Sequence, residues 1–139
     1  MALGFTVLAS GSRGNASLIN LDGEHILLDA GIGPRSLSHR LATLSVDWSQ
    51  IRAAMITHTH GDHAHDITLL WLARQNIHVY CHPDQLAVAG HRAGFKELAR
   101  RGLIRLFEDR PFLVWAGLWA ESFELKHNGP TFGFRFEGR

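Results

Sequence analysis

The segment Thr57-His58-Thr59-His60-Gly61-Asp62-His63 carries three imidazoles and a carboxylate within six positions. Their spacing restricts the backbone that can use them together. On an extended segment residues two apart share a face, so His58 and His60 can converge, whereas on a helix they would diverge by about 200 degrees. The stretch must therefore be an extended loop. Gly61 lets the chain bend sharply, which turns Asp62 and His63 towards the same point or a neighbouring one. Imidazole and carboxylate donors together suit zinc, with manganese, iron or nickel as further fits, for one or two ions in all. The competing reading is a histidine-rich surface patch. Shuffling the ten histidines and seven aspartates of the chain yields H-x-H-x-D-H about once in a few hundred sequences, which makes chance a poor account.

The flanking sequence supports a built site. Ala53 to Thr57 reads as a short apolar strand running into the histidines, and Asp66 as the N-cap of a helix through Gln75 that buries Leu69, Leu70, Leu72 and Ala73. Loops at strand ends are where rigid scaffolds present reactive groups. Upstream, Phe5 to Ser10 and Ala16 to Leu21 read as strands around a Gly11 to Asn15 turn, and Asp22-Gly23 turns the chain again. His25 to Ala30 is nearly all apolar and suits a strand buried on both faces, with Asp29 a carboxylate near its end that needs a partner. Pro34, Leu37, Leu41 and Leu44 mark an amphipathic helix over 34–44, and Asp47 caps a short turn after it.

Downstream, Ile77 to Cys81 is expected as a strand, Pro83 to Ala89 and Phe95 to Arg101 as helices, the second closed by Gly102. Strands then follow at Leu103 to Phe107, Phe112 to Trp115, Leu118 to Lys126 and Thr131 to Phe136. The class is α/β (α+β), in one domain over 1–139 with no repeat or linker. A hydrophobic fraction of 45% in 139 residues is enough for a packed core. The formal charge of +1 predicts no general attraction to polyanions or membranes, so any nucleic-acid contact must be local. Cys81 stands alone and can form no internal disulfide, which fits a reducing cytosol. The opening Met1 to Val7 lacks a basic leader and no apolar run is long enough to span a bilayer, so a cytoplasmic protein without membrane contact is expected.

Thr57 to His63 resembles the motif of the metallo-beta-lactamase superfamily, whose αββα sandwich binds metals at one edge. Leu8 to Asn15 followed by Leu27-Leu28-Asp29-Ala30-Gly31 is similar to the start of a bacterial exonuclease branch, the YycJ-like proteins, and Lys126 to Gly133 resembles the third motif of that branch. The likeness spans essentially the whole chain. It implies that His58, His60 and His127 bind one metal, that Asp62 and His63 serve the other, and that Asp29 supports the site by hydrogen bonds. It also implies metal-assisted hydrolysis of a phosphodiester, a nucleic acid or a smaller ester, with Asp62 orienting the water. A thioester, lactone or β-lactam hydrolase of the same fold is an alternative, and a catalytically silent metal-binding fragment another.

Departures from the resemblance qualify this. Members have a later bridging aspartate and a further histidine beyond the third motif, whereas the twelve residues after His127 hold only Glu137 as a potential ligand. Asn128 stands where the branch has aspartate, and Asp66 where glycine is common. The sequence thus reads as the amino-terminal half of an incomplete sandwich, with an unpaired edge and an apolar face at Thr131 to Phe136. Either the natural product continues past Arg139, or self-association or a second chain covers the exposed half.

The remaining histidines, His25, His39, His65, His78, His82 and His91, are read as surface or satisfied side chains. Cys81 is read as a small buried hydrophobe rather than a metal partner of His82. Arg13, Arg100, Arg101, Arg105 and Arg110 could meet phosphates but read mainly as a solvated face, and Trp48, Trp71, Trp115 and Trp119 as core or cover.

Overall fold

The computed structural model describes residues 3–139, and Met1 and Ala2 of the opening segment lie outside the described residues. Strands β1 (Leu3–Ala9), β2 (Ala16–Leu21) and β3 (Glu24–Ala30) form an antiparallel meander. The β2–β3 connection is the expected Asp22-Gly23 pair, with φ of 52° and 79°, a backbone that matches the twist of a tight hairpin. The sheet then becomes parallel through β4 (Ile51–Met55), β5 (His78–Cys81) and β6 (Ile104–Leu106), in the spatial order β1-β2-β3-β4-β5-β6. Parallel neighbours require crossovers. These are α1 (Pro34–Thr43), α2 (Asp66–Arg74), and α3 (Pro83–Ala89) followed by α4 (Ala93–Arg100).

All four of these α-helices cover one face of the sheet, where Leu37, Leu41, Leu69, Leu72, Phe95 and Leu98 pack with Leu18, Leu27, Ala54 and Val79. A second, antiparallel sheet of β7 (Phe112–Trp115), β8 (Leu118–Leu125) and β9 (Thr131–Gly138) covers part of the other face. There Leu118, Val114, Trp115 and Phe136 meet Ile19, Leu21, Ile26 and Ala53. The mixed α/β class is as expected.

Two groups of exposed apolar side chains lie on strands, besides the single residues Leu44, Ile67, Val88 and Leu106. On β1, Leu3, Phe5 and Val7 are 42–60% exposed on the face shared with their register partners Leu21, Ile19 and Ser17. On the outer face of the three-stranded sheet, Leu113, Phe123 and Leu125 are 46–50% exposed. Strand β9 is the edge of its sheet as anticipated, with β8 its one neighbouring strand among the described residues, although its Phe132 N–H is taken up by Thr57 O at 2.8 Å. Its aromatics differ from expectation: Phe132 is buried and Phe134 and Phe136 half-buried, because they face inward.

Four local readings need correction. Strand β4 spans Ile51–Met55 rather than 53–57, because Thr57 leaves the sheet to donate its N–H and hydroxyl to Asp29. Asp66 is the first residue of α2, behind the N-cap His65, and its carboxylate accepts the Gly94 N–H of α4 at 2.8 Å. Asp66 therefore caps a neighbouring helix, and α4 begins at Ala93 rather than Phe95. Strand β8 stops at Leu125, which leaves His127 on the β8–β9 loop. Asp47 does precede a turn, the 3-10 helix Trp48–Gln50, with its backbone N–H bonded to the Gln50 side chain.

Candidate metal centre

The site forms where β4 leaves the sheet. Thr57 bends the chain out of the strand, His58 and Thr59 follow outside any helix or strand, and the rings of His58 and His60 converge to 4.0 Å between centroids. The chain then turns through His60 to Ala64, with the His63 and Ala64 N–H groups both donating to the His60 carbonyl. Gly61 does not supply this bend through glycine-only backbone, since its φ is not in the left-handed region and a side chain there would meet open space. The glycine that matters is Gly31. A Cβ at Gly31 would overlap the Asp62 carbonyl, so only glycine lets the end of β3 lie against the ligand loop.

That close approach is reinforced by backbone bonds. Ala30 N–H donates to His63 O and His65 N–H to Ala30 O, each at 2.8 Å, while Asn15 N–H donates to Asp62 O at 2.7 Å. On the far side Arg92 donates to the carbonyls of Thr59 and Ala64 and spans the loop from outside. Nothing in the sequence marks Arg92 as a support of this loop, whereas Asn15 closes the Leu8 to Asn15 segment that carries the resemblance.

The candidate ligand side chains gather around this loop. His58, Asp62 and His63 each offer a ligand atom within 4.8 Å of the others. His63 lies 5.3 Å from His58 between ring centroids, and the His127 ring stacks on His58 at 4.7 Å, coming from a loop 69 positions away by subtraction of the residue numbers. The tight trio mixes residues that the resemblance divides between two metals. His58 is buried; Asp62 and His63 are half-buried; His60 and His127 are exposed.

Asp29 has the partners that its burial demands. It accepts Thr57 N–H at 2.8 Å, Thr57 Oγ1–H at 2.6 Å and His63 Nδ1–H at 2.8 Å. The carboxylate accepts only, so His63 carries its proton on Nδ1 and turns Nε2 towards Asp62 Oδ2, 3.8 Å away. Asn15 Nδ2 approaches the same Nε2 at 3.4 Å. The hydrogen bond from Asp29 raises the His63 pKa above its ordinary value, against the opposing effect of burial. Burial lowers that of His58, helped by the neighbouring His60, His63 and His127, and so favours the neutral imidazole that a metal needs.

These residues fit a divalent cation. Nδ1 of His58 is buried without a hydrogen-bond partner, and its Nε2 faces only the Asn128 carbonyl at 3.2 Å. Neutral imidazoles and a carboxylate at such distances are the donor chemistry of zinc-class ions. Glu137 is not part of this cluster: it is exposed on β9 and pairs with Arg139 at 3.3 Å. The His65 ring is turned to Thr68 Oγ1, 3.4 Å from Nδ1, and lies outside the cluster. Cys81 is fully buried and its thiol is pushed up to about 12, as a small hydrophobe would be. His82 stacks on Phe132 at 4.6 Å and accepts the Asp84 N–H, so it is a packing and capping residue.

The other arginines lie elsewhere. Arg100 and Arg101 pair with Glu97, and Arg110 with Glu108. All four tryptophans are half-buried cover, with Trp48 edge-on to Trp71 at 5.9 Å. No helix among the described residues is long and apolar enough to cross a membrane.

Residues 9–133 match the Metallo-beta-lactamase superfamily, and the chain belongs to that superfamily. It is similar to the exodeoxyribonuclease YycJ of Bacillus anthracis, with 24% identity over 92% of this chain and 47% of the relative. It is also similar to the ribonuclease Z of Rippkaea orientalis, with 32% identity over 78% of this chain and 36% of the relative. The chain thus spans less than half the length of each. In fold it resembles the metallo-beta-lactamase fold protein YhfI of Bacillus subtilis, at a TM-score of 0.72 and 16% identity over 98% of this chain and 58% of that one.

Proposed function

We propose that this chain carries the metal-binding half of a phosphodiesterase of the nuclease type, with His58, His60, Asp62, His63 and His127 as ligands of one or two zinc-class ions. The observation that carries the reading is the convergence of the His58, His60 and His127 rings beside Asp62 and His63. The nuclease class is supported by the names of two relatives, an exodeoxyribonuclease and a ribonuclease. A divalent cation, when bound, makes water more acidic and polarises a phosphoryl oxygen.

The protein's own part is positional. Asp29 keeps the His63 proton on Nδ1, so that Nε2 presents its lone pair to the site. Asp62 turns a carboxylate towards that nitrogen and is the group placed to orient an attacking water. His127, on its exposed loop, borders an open cleft lined also by Asp84, Glu124, Lys126 and Pro130.

The test pairs an activated phosphodiester and single-stranded DNA with a lactone and a cephalosporin, each with added zinc or manganese. Hydrolysis of the phosphodiester or DNA, lost in His58→Ala/His60→Ala, is the expected result. Turnover of the lactone or cephalosporin alone moves the chain to acyl chemistry. Metal binding without any turnover leaves a catalytically silent metal-binding chain.

A further inference from the structure

Gln85 is fully buried, and both polar atoms of its side chain are engaged. Its Oε1 accepts the His82 N–H at 2.9 Å, which anchors the side chain at the start of α3. The amide nitrogen is then left to point away from the helix. It donates across the interior to three backbone carbonyls: Thr57 at 3.2 Å, Pro130 at 3.3 Å and Ile56 at 3.4 Å. Two of these belong to the segment that delivers His58, the third to the loop that delivers His127.

The two segments come from different sheets and need a tie. One is the Phe132 N–H, which donates to Thr57 O at 2.8 Å and fixes the first residues of β9. It does not reach the loop itself, which meets the His58 ring at the Asn128 carbonyl, 3.2 Å from Nε2, and is held at its last residue from α3. Lys126 to Gly129 are exposed, and Pro130 has no N–H, so its carbonyl is its only backbone handle. Among the described residues, that carbonyl is held by Gln85 alone. Three residues earlier stands His127, stacked on His58.

We infer that Gln85 is a positioning residue of the metal centre, a buried amide brace that sets the separation of the His58 and His127 segments and thereby presents His127 to the ion. This rests on the metal-centre reading above. An amide is suited to this position because it offers both an acceptor for the anchor and two N–H groups for the brace, whereas a carboxylate would set oxygen against three carbonyl oxygens.

The proposal is tested by a double-mutant cycle on zinc affinity, measured by competition with a chromophoric chelator, with Co(II) absorption as a second readout. Gln85→Leu should weaken zinc binding about ten-fold and alter the cobalt spectrum, as expected when the support of a ligand is removed. In a His127→Ala background the same change should cost less than about two-fold, because there is no longer a ring to place. An equal loss in both backgrounds, or no loss in either, would overturn the proposal and leave the metal centre intact. Absence of zinc binding in the unaltered protein would instead overturn the metal centre and the brace with it. Should Gln85→Leu fail to fold, Gln85→Asn, still an amide but one methylene shorter, goes through the same cycle with the same expected pattern.

Discussion

The carboxylate of Asp29 binds Nδ1 of His63 at 2.8 Å across 34 positions of sequence, from a residue whose own φ is 62°. The left-handed backbone turns the end of β3 so that one carboxylate reaches both the Thr57 segment and the ligand loop. Asparagine and aspartate tolerate that conformation better than other side chains, so Asp29→Asn keeps the backbone while removing the charge and one acceptor oxygen. It should lower divalent-metal affinity by about 10- to 100-fold with a modest loss of stability. Isothermal titration with zinc, alongside thermal unfolding of the metal-free protein, measures the two separately.

Gly31→Ala should be far more damaging than Gly61→Ala. The added methyl at position 31 meets the Asp62 carbonyl, whereas at position 61 it meets nothing within 4 Å. Overlap with backbone cannot be relieved by a rotamer change, so the cost at position 31 is expected above about 3 kcal/mol, against less than about 1 kcal/mol at position 61. Chemical denaturation of both variants checks the contrast.

Arg92→Met should loosen the ligand loop without touching a ligand. The guanidinium bonds the Thr59 and Ala64 carbonyls at the two shoulders of the turn, and methionine can do neither. A loss of about 1–2 kcal/mol is expected, with faster amide exchange over residues 60–64. Unchanged exchange there would show that Arg92 does not brace the loop.

Acid sensitivity should come in part from a histidine remote from the site. His25 is buried with Nδ1 unpartnered, and burial lowers its pKa from the ordinary 6.5 despite the opposing charge of Glu24. As the pH drops below 6.5 the unfolded chain takes up that proton first. The stability present above this value is therefore lost as the pH falls through the folded-state value. His25→Leu should flatten the decline in Tm between pH 7.5 and 5.5, by about 1–3 °C at the lower end. Parallel Tm profiles for the two proteins would contradict this.

The strands, the helices and the Asp22-Gly23 hairpin could be read from periodicity and turn chemistry, because those signals are local. The spacing of His58 and His60 points to the convergence of their rings, and a carboxylate near the end of an apolar strand marks Asp29 as in need of the partners it has. Pairings between distant segments could not be read in this way. Asp66 looks like the cap of its own helix, and only the packing of α2 against α4 shows that it caps the other. Gln85 is locally no more than the N3 partner of the cap on α3, and Arg92 carries no motif; they matter because the fold brings their donors to carbonyls at least 28 positions away. Gly61 looks like the essential hinge, yet the tight contact falls to Gly31.

Elemental analysis of the purified chain, set beside its His58→Ala/His127→Ala variant, tests the metal centre most directly. At least about one equivalent of a divalent metal per chain is predicted for the unaltered protein, surviving dialysis and falling to background in a variant that remains folded. Equal metal content in the two proteins, or none in the unaltered one after incubation with zinc, would contradict the account.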